Sequence, residues 1–365
     1  MIKLIIKVFE VFFEFIKHLY IRFRILTEKG NCKLSLLKKI KACLRGFKGD
    51  QWVWYNLDHN DITEFVSEYE YYLTKDINNQ YHLIMDDKFI FSEIFGKYIN
   101  VPNVFFYIYD GKIYSRNSKQ CSFEDLIEIL IKEENLIVKP VNGARGENVH
   151  ILTINQELSG KKSSQGDLLF YLDNELKEKD QLKKFISQLN EFIITEFIKQ
   201  HKYAKKLYNK TTNTIRVITI QDPENSNWII PNAIHRIGTN KSFPVDNFSN
   251  GGLTAEIDLE TGILGKVFDP TNCDHTKSYM RKHPDTGVRI TGVKIPFWED
   301  LKETLLNISS KFPYVYFIAW DVVITNQGFS IVEINNSSGL NIFQVFGGVR
   351  NGKLGKFYKH HGVVK

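Results

Sequence analysis

Near the C-terminal end of the chain, two carboxylates and a carboxamide have the spacing of a metal site. In "AWDVVITNQGFSIVEINNSSGLN", Asp321 and Glu333 sit on two β-patterned runs joined by the turn Asn326-Gln327-Gly328. A hairpin with that turn lets the two acids approach one another across the sheet. Asn335, two residues beyond Glu333, points to the same face. Three hard oxygen donors suit magnesium, which keeps its remaining positions for water and phosphate oxygens. Among Phe317, Ile318, Trp320, Val322, Ile331 and Val332, two acids are costly to bury unneutralised, and a cation would relieve that cost. The bland alternative is a pair of acids facing solvent on an edge hairpin.

A second candidate is "LIVKPVNGARGENVHIL", residues 136–152, in which two apolar runs flank a loop carrying Gly143, Arg145 and Gly146, with Lys139 ahead of it. It is no Walker loop, because Gly146-Glu147-Asn148 stands where Gly-Lys-Ser/Thr is needed, and a strand follows where a helix should. The glycines are also too close together for a dinucleotide fingerprint. Since "NVHILTI" alternates with a period of two, the loop is the tip of a β-hairpin. It either cradles phosphate with its backbone N–H groups or only turns the chain. Arg216 in "TIRVIT" has a planar fork suited to paired phosphate oxygens, or else is a salt-bridged strand residue. "HPDTG", residues 283–287, sets a histidine and an aspartate in a Pro/Gly-rich loop, which suits either a polar ligand or a turn capped by Asp285.

The elements that must position these groups read as α+β. Up to about residue 100 the pattern is mostly helical, including "LSLLKKIKACLRGF", "DITEFVSEYEYYLTKDI" and a helix beginning near Asp87. Strands are expected around a turn at Asp110-Gly111. "FEDLIEILIKEE" is an amphipathic helix, and "DQLKKFISQLNEFIITEFI" is helix followed by strand. From "TNTIRVITI" onward the chain is strand-rich with one helix near residues 298–310, forming antiparallel meanders rather than βαβ alternation.

With 365 residues and 43% hydrophobic content, the chain can bury a sizeable core in two or three lobes. The net charge of +6 is moderate, and lysines spread among acids give no nucleic-acid footprint. Four cysteines (Cys32, Cys43, Cys121, Cys273) without CxxC or Cys/His pairing indicate neither a disulfide framework nor structural zinc, and they fit a reducing cytoplasm. The first 26 residues resemble a membrane span, but Lys3, Lys7, Glu10, Glu14 and Lys17 interrupt every apolar run. Those charges lay one polar stripe along a helix and leave a wide apolar face to be covered by the rest of the chain, a second subunit or a membrane surface.

Taken in order, a lysine-bearing hairpin, "TEFI", "NTIRVIT" and the terminal hairpin resemble the ATP-grasp superfamily, over roughly residues 87–348. "NFSNGGLTAEIDLETG" and "HPDTGVRITGVKIP" point to its sugar-transfer-associated branch. The resemblance implies an ATP-grasp fold holding ATP between two α+β subdomains. It divides the chain into an amphipathic helical segment (1–45), an N-terminal α/β region (46–130), a lid subdomain (131–200) and a metal and substrate subdomain (201–365). It implies that Lys139 and Lys88 contact nucleotide phosphate, and that Gly143, Arg145 and Gly146 close over it. Glu196, Phe197 and Ile198 would receive adenine, and Asp321, Glu333 and Asn335 would bind Mg2+. Arg216 would face the transferring phosphoryl group, while His283, Asp285, Thr286 and Arg289 would meet substrate. Amino-acid ligases of this superfamily often carry an arginine two residues before the first metal carboxylate. Ala319 stands there, leaving Arg216 or Arg289 to substitute.

The expected activity is a ligase that joins a carboxylate, such as a sugar acid, to an amino acid or amine through an acylphosphate. The expected setting is surface polysaccharide biosynthesis in the cytoplasm, or peripherally at the inner membrane face, with a lipid-linked or nucleotide-linked sugar among the partners. The alternatives are a phosphotransferase using the same cleft and a noncatalytic nucleotide-binding component of a glycan assembly.

Overall fold

In the computed structural model, residues 2–143, 146–154 and 169–365 are described. The strands form two antiparallel sheets, and the chain is α+β. The smaller lobe is an eight-stranded sheet of β1 (Val104–Tyr109), β2 (Lys112–Ser115), β3 (Gln120–Cys121), β4 (Asn135–Pro140), β5 (His150–Ile154), β6 (Phe170–Leu172), β7 (Glu175–Lys177) and β8 (Phe192–Glu196). Their order is β3-β2-β1-β8-β4-β5-β6-β7. The larger lobe is a seven-stranded sheet of β9 (Ile215–Gln221), β10 (Trp228–Ile237), β11 (Leu253–Ile257), β12 (Leu264–Phe268), β13 (Tyr279–Met280), β14 (Phe317–Thr325) and β15 (Gly328–Asn335). Its order is β13-β12-β11-β10-β9-β14-β15. Strands on both sides of residue 130 share the smaller sheet, so the expected boundary there falls inside one sheet.

Local chemistry explains the helices that flank the site. Ser122 and Asp125 form a reciprocal capping box that starts the helix Phe123–Glu133, which covers the small sheet together with Lys179–Ser187. Asp87 caps Lys88–Phe95 by accepting from the N–H groups of Phe89 and Ile90. In place of one helix across "DITEFVSEYEYYLTKDI", the chain makes a 3-10 turn and then the short helix Glu68–Leu73. The capping box of Ser67 with Glu70 restarts it there.

The large sheet is covered on both faces. One face packs on Trp298–Ser310 through Trp320, Val322 and Ile334. The other packs on N-terminal aromatics such as Trp52 and Tyr55 and on the C-terminal Phe357 and Tyr358. Residues 42–77 thus contribute to the large lobe's core.

Cys32 and Cys273 form a disulfide, with their Cα atoms 5.3 Å apart, which corrects the expectation of four unpaired thiols. The partners lie 241 residues apart in sequence, so spacing could not reveal the pair. Cys43 and Cys121 are free.

Candidate active site

The two lobes face one another across a cavity of about 650 Å³. Its floor is one face of the large sheet. Arg216 on β9 is paired with Asp321 on β14, which is paired in turn with Glu333 on β15. Ala319 and Asn335 pair one step along the same strands. A bulge at Val332 sets this row. From the turn outward the register runs Thr325 to Gly328 through Val322 to Ile331, and then skips Val332 to oppose Asp321 and Glu333. Without the extra residue, Asp321 would face Val332.

Asp321 is gripped by two guanidinium groups. Arg216 donates to both carboxylate oxygens, through Nε to Oδ1 and through Nη2 to Oδ2 at 2.9 Å. Arg236 on β10 adds Nη1 to Oδ2 at 3.2 Å. Burial alone would push the Asp321 carboxyl up, but Arg216 and Arg236 outweigh it and hold the carboxyl below the usual range. Arg236 also donates to Asp246 at 2.5 Å, and Asp246 in turn accepts from the N–H and hydroxyl of Thr214. Arg216 reaches Ser338 at 3.0 Å. The neutralisation expected from a cation is therefore supplied to Asp321 largely by arginine. Sequence reasoning missed Arg236 and Asp246. Arg236 was open to discovery by register, because Ile234 lies opposite Arg216 and a residue two further along shares its face.

Glu333 lines the cavity, and its carboxylate makes no hydrogen bond among the described residues. The side-chain nitrogen of neighbouring Asn335 is buried without a partner. An acid open to a ligand, a second acid opposite and the carbonyl oxygen of the adjoining Asn335 amide fit an oxygen-seeking divalent cation in donor type, whereas the buried amide nitrogen could only donate to an oxygen of a ligand. Among the described residues, no three His, Cys, Asp or Glu side chains cluster as a metal site.

From the opposite lobe, Lys139 near the end of β4 extends Nζ to the carbonyl of the bulged Val332 at 3.3 Å. Burial pushes its pKa down to about 8, helped by Lys88 and opposed by Glu333 and Asp321. Lys88 is buried and donates to the carbonyls of Val141 at 3.4 Å and Gly143 at 3.2 Å. It therefore braces the base of the hairpin loop and is absent from the cavity wall. β4 and β5 pair antiparallel, making the loop a hairpin tip as expected. Gly146 takes φ +71°, and a Cβ there would come within 2.9 Å of Val245 in the large lobe, so the tip lies against the facing loop. Arg145 lies outside the described residues. Glu196, Phe197 and Ile198 line the cavity where β8 ends.

The "HPDTG" side chains do not reach this cavity. His283 is buried, stacks on Tyr208 and donates Nε2–H to the Gly238 carbonyl at 2.7 Å, while its Nδ1 accepts from the N–H of Asp285. Asp285 accepts from the N–H of Asn240, Thr286 donates to the Leu207 carbonyl, and Arg289 donates to the Thr291 carbonyl. Each group is spent on holding the loop. Arg289 does not line the cavity, whereas Arg236 reaches Asp321 from β10, across the intervening β9.

The far wall of the cavity comes from the N-terminal segment, through Arg24, Lys29, Lys48, Glu68 and Tyr71. Lys48 bridges Glu28 and Glu68 at 2.7 Å each.

Two antiparallel sheets closing on a cleft, with a hairpin loop over it and an acid row on its floor, make this an ATP-grasp fold. The chain belongs to the sugar-transfer associated ATP-grasp family, whose model matches residues 68–354. Similar solved structures include N5-carboxyaminoimidazole ribonucleotide synthetase from Thermotoga maritima, at 11% identity over 70% of this chain and 42% of that one, with a TM-score of 0.34. D-alanine–D-alanine ligase from Bacillus anthracis is 13% identical over 77% of this chain and 64% of that one, with a TM-score of 0.35. L-amino acid ligase from Bacillus licheniformis is 9% identical over 71% of this chain and 42% of that one, with a TM-score of 0.36. The chain thus spans less than two thirds of each of these structures. No curated protein matches the sequence.

Proposed function

We propose that this protein is an ATP-dependent carboxylate–amine ligase. The observation that carries the reading is the row Arg216, Asp321 and Glu333 on the cavity floor with Lys139 facing it from the other lobe. Lys139 and the N–H groups of the hairpin loop, including Gly143 and Gly146, would hold the triphosphate, with the segment Glu196–Ile198 beside the adenine. Glu333, Asn335 and Asp321 would hold Mg2+, which when bound screens the charge of the phosphates. Arg216 and Arg236 would offset charge developing on the moving phosphoryl group.

The substrate carboxylate oxygen attacks the γ-phosphorus, the bond to the β-phosphate bridge oxygen breaks, and ADP leaves. The amine nitrogen then attacks the acylphosphate carbonyl, the C–O bond to phosphate breaks, and the amine proton passes to solvent. No covalent bond to the protein is needed, so the side chains contribute position and charge. The family's association with sugar transfer is the reason to take a sugar acid as the carboxylate, with an amino acid or amine as its partner, in polysaccharide biosynthesis.

The test is ADP release against uronic acids paired with amino acids, with products weighed by mass spectrometry. An amide product with equal ADP and phosphate supports the ligase. ADP release with a phosphorylated sugar and no amide would replace it with a phosphotransferase, and nucleotide binding without turnover on any pair would favour a noncatalytic role.

A further inference from the structure

Over residues 12–26, the first helix (Ile2–Thr27) turns most of its large apolar side chains away from the protein. Inward, Ile21 and Ile25 are buried against Cys43 and Tyr69. Lys17 pairs with Asp76 at 2.7 Å, His18 meets the Tyr69 hydroxyl at 2.6 Å, and Arg22 and Arg24 lie over Tyr69 and Tyr72. Outward, Phe12, Phe13, Phe15, Leu19 and Phe23 are 51–67% exposed. These exposed side chains do not pack on the chain's own core. Beside it, the helix Leu36–Leu44 exposes Leu36, Leu37 and Leu44 by 70–80%. Arg22 fastens the two helices by donating to the Cys43 and Leu44 carbonyls. So many large apolar side chains on two adjoining helices exceed the scattered exposure normal for a protein surface.

The charge on this segment is just as uneven. Residues 1–48 hold twelve lysines and arginines against three glutamates, a net +9, so the other 317 residues carry −3 of the chain's +6. Lys29, Lys33 and Arg45 are exposed at the ends of the two helices. An apolar face within a strongly cationic segment complements an anionic bilayer surface, where the rings enter the acyl boundary and the cations meet headgroups. A second copy of the chain is a poorer occupant, because it would set one lysine- and arginine-rich segment against another. Among the described residues no helix is long and apolar enough to cross a membrane, so the helix would lie in the interface plane.

We propose that the helices Ile2–Thr27 and Leu36–Leu44 together dock this protein on an anionic membrane surface. The first helix also joins that surface to the candidate active site, because Arg24, Ile25 and Lys29 at its inner end line the cavity. Docking thereby places the cavity mouth next to the lipid headgroups, and its test reads no ligase activity.

The experiment is sedimentation of the full chain with vesicles of phosphatidylcholine and phosphatidylglycerol in equal parts, and with pure phosphatidylcholine. Binding is expected to the anionic vesicles and to fall with added salt. Phe13→Glu, Phe23→Glu and Leu37→Glu should each weaken it by about tenfold or more, as expected for one large side chain kept out of an apolar environment. Their melting temperatures should match the parent's, since all three side chains are exposed. A full chain that never sediments with anionic vesicles overturns the proposal. So does binding indifferent to the three substitutions, or a dimer that the same substitutions dissociate in the absence of vesicle binding. A fall in melting temperature in all three variants would return the face to the protein core and also overturn it.

Discussion

At the residue scale, Glu333 and Asp321 are opposed on the sheet but live in different electrostatic company. Asp321 has two arginines, and Glu333 is open to the cavity. Glu333→Gln removes one charge at constant volume, so it should leave the melting temperature within a degree or two while abolishing ADP release. Full turnover by that variant with magnesium would remove Glu333 from the chemistry. Arg236→Met should act on the fold, because it strips a partner from both Asp321 and Asp246 and leaves buried charge uncompensated. A loss of about 3–5 kcal/mol in urea unfolding is expected. Lys139 carries the pH dependence. Its pKa of about 8 means the free protein loses this ammonium as pH rises through that value. Phosphate selects the protonated form, so nucleotide affinity should be flat below about pH 7 and fall above about pH 8, with proton uptake on binding. Calorimetry in buffers of differing ionisation enthalpy reads that proton, and Lys139→Met should abolish it. For folding the sign is opposite. The folded pKa lies below the unfolded value, so this lysine's contribution to stability grows as pH climbs from about 8 towards 10.

At the element scale, the β4–β5 hairpin lends Gly146, Glu147 and Val149 to the cavity and is proposed to close over nucleotide. Lys88 braces its base, and Gly146 lets the tip meet Val245. Amide hydrogen exchange at Asn142, Gly143 and residues 146–148 should slow on adding a nonhydrolysable ATP analogue, and equal exchange would count against a closing lid. Gly146→Ala puts a Cβ at a left-handed φ and against Val245, a strain of about 1–3 kcal/mol. It should raise the nucleotide Kd more than it changes the melting temperature, and a thermal shift with and without nucleotide separates the two. That the hairpin exists was legible from the period of two in "NVHILTI". That Lys88 supports it from below was not, because a contact across 53 residues leaves no local pattern.

At the scale of the whole molecule, the N-terminal segment is stapled to the large lobe by Cys32–Cys273, packs Trp52 and Tyr55 on its sheet and supplies a wall of the cavity. Thiol titration of the unreduced, denatured protein should find two free cysteines, Cys43 and Cys121. Cys273→Ser should lower stability by about 2–4 kcal/mol, since the disulfide closes a long loop in the unfolded chain. An unchanged denaturation midpoint would mean that packing alone holds the segment.

The sequence by itself determined what is local and periodic. Alternation and turn residues specified the β4–β5 and β14–β15 hairpins, caps at Ser122 and Asp87 started their helices, and the order of the motifs carried the family. It also placed Asp321, Glu333 and Asn335 on one hairpin, because a strand's side chains alternate strictly. Only the tertiary structure decided which groups meet. The bulge at Val332 moved Glu333 opposite Asp321, Arg236 arrived from two strands away in the sheet and 85 residues away in sequence, and the His283 loop spent its side chains on nearby backbone. The first helix likewise showed its amphipathic pattern in the sequence, but the direction of its apolar face was chosen by the partners on its other side, Asp76, Tyr69 and Tyr72. Periodicity records which residues share a face, whereas the partner of that face is set by contacts between segments distant in the chain.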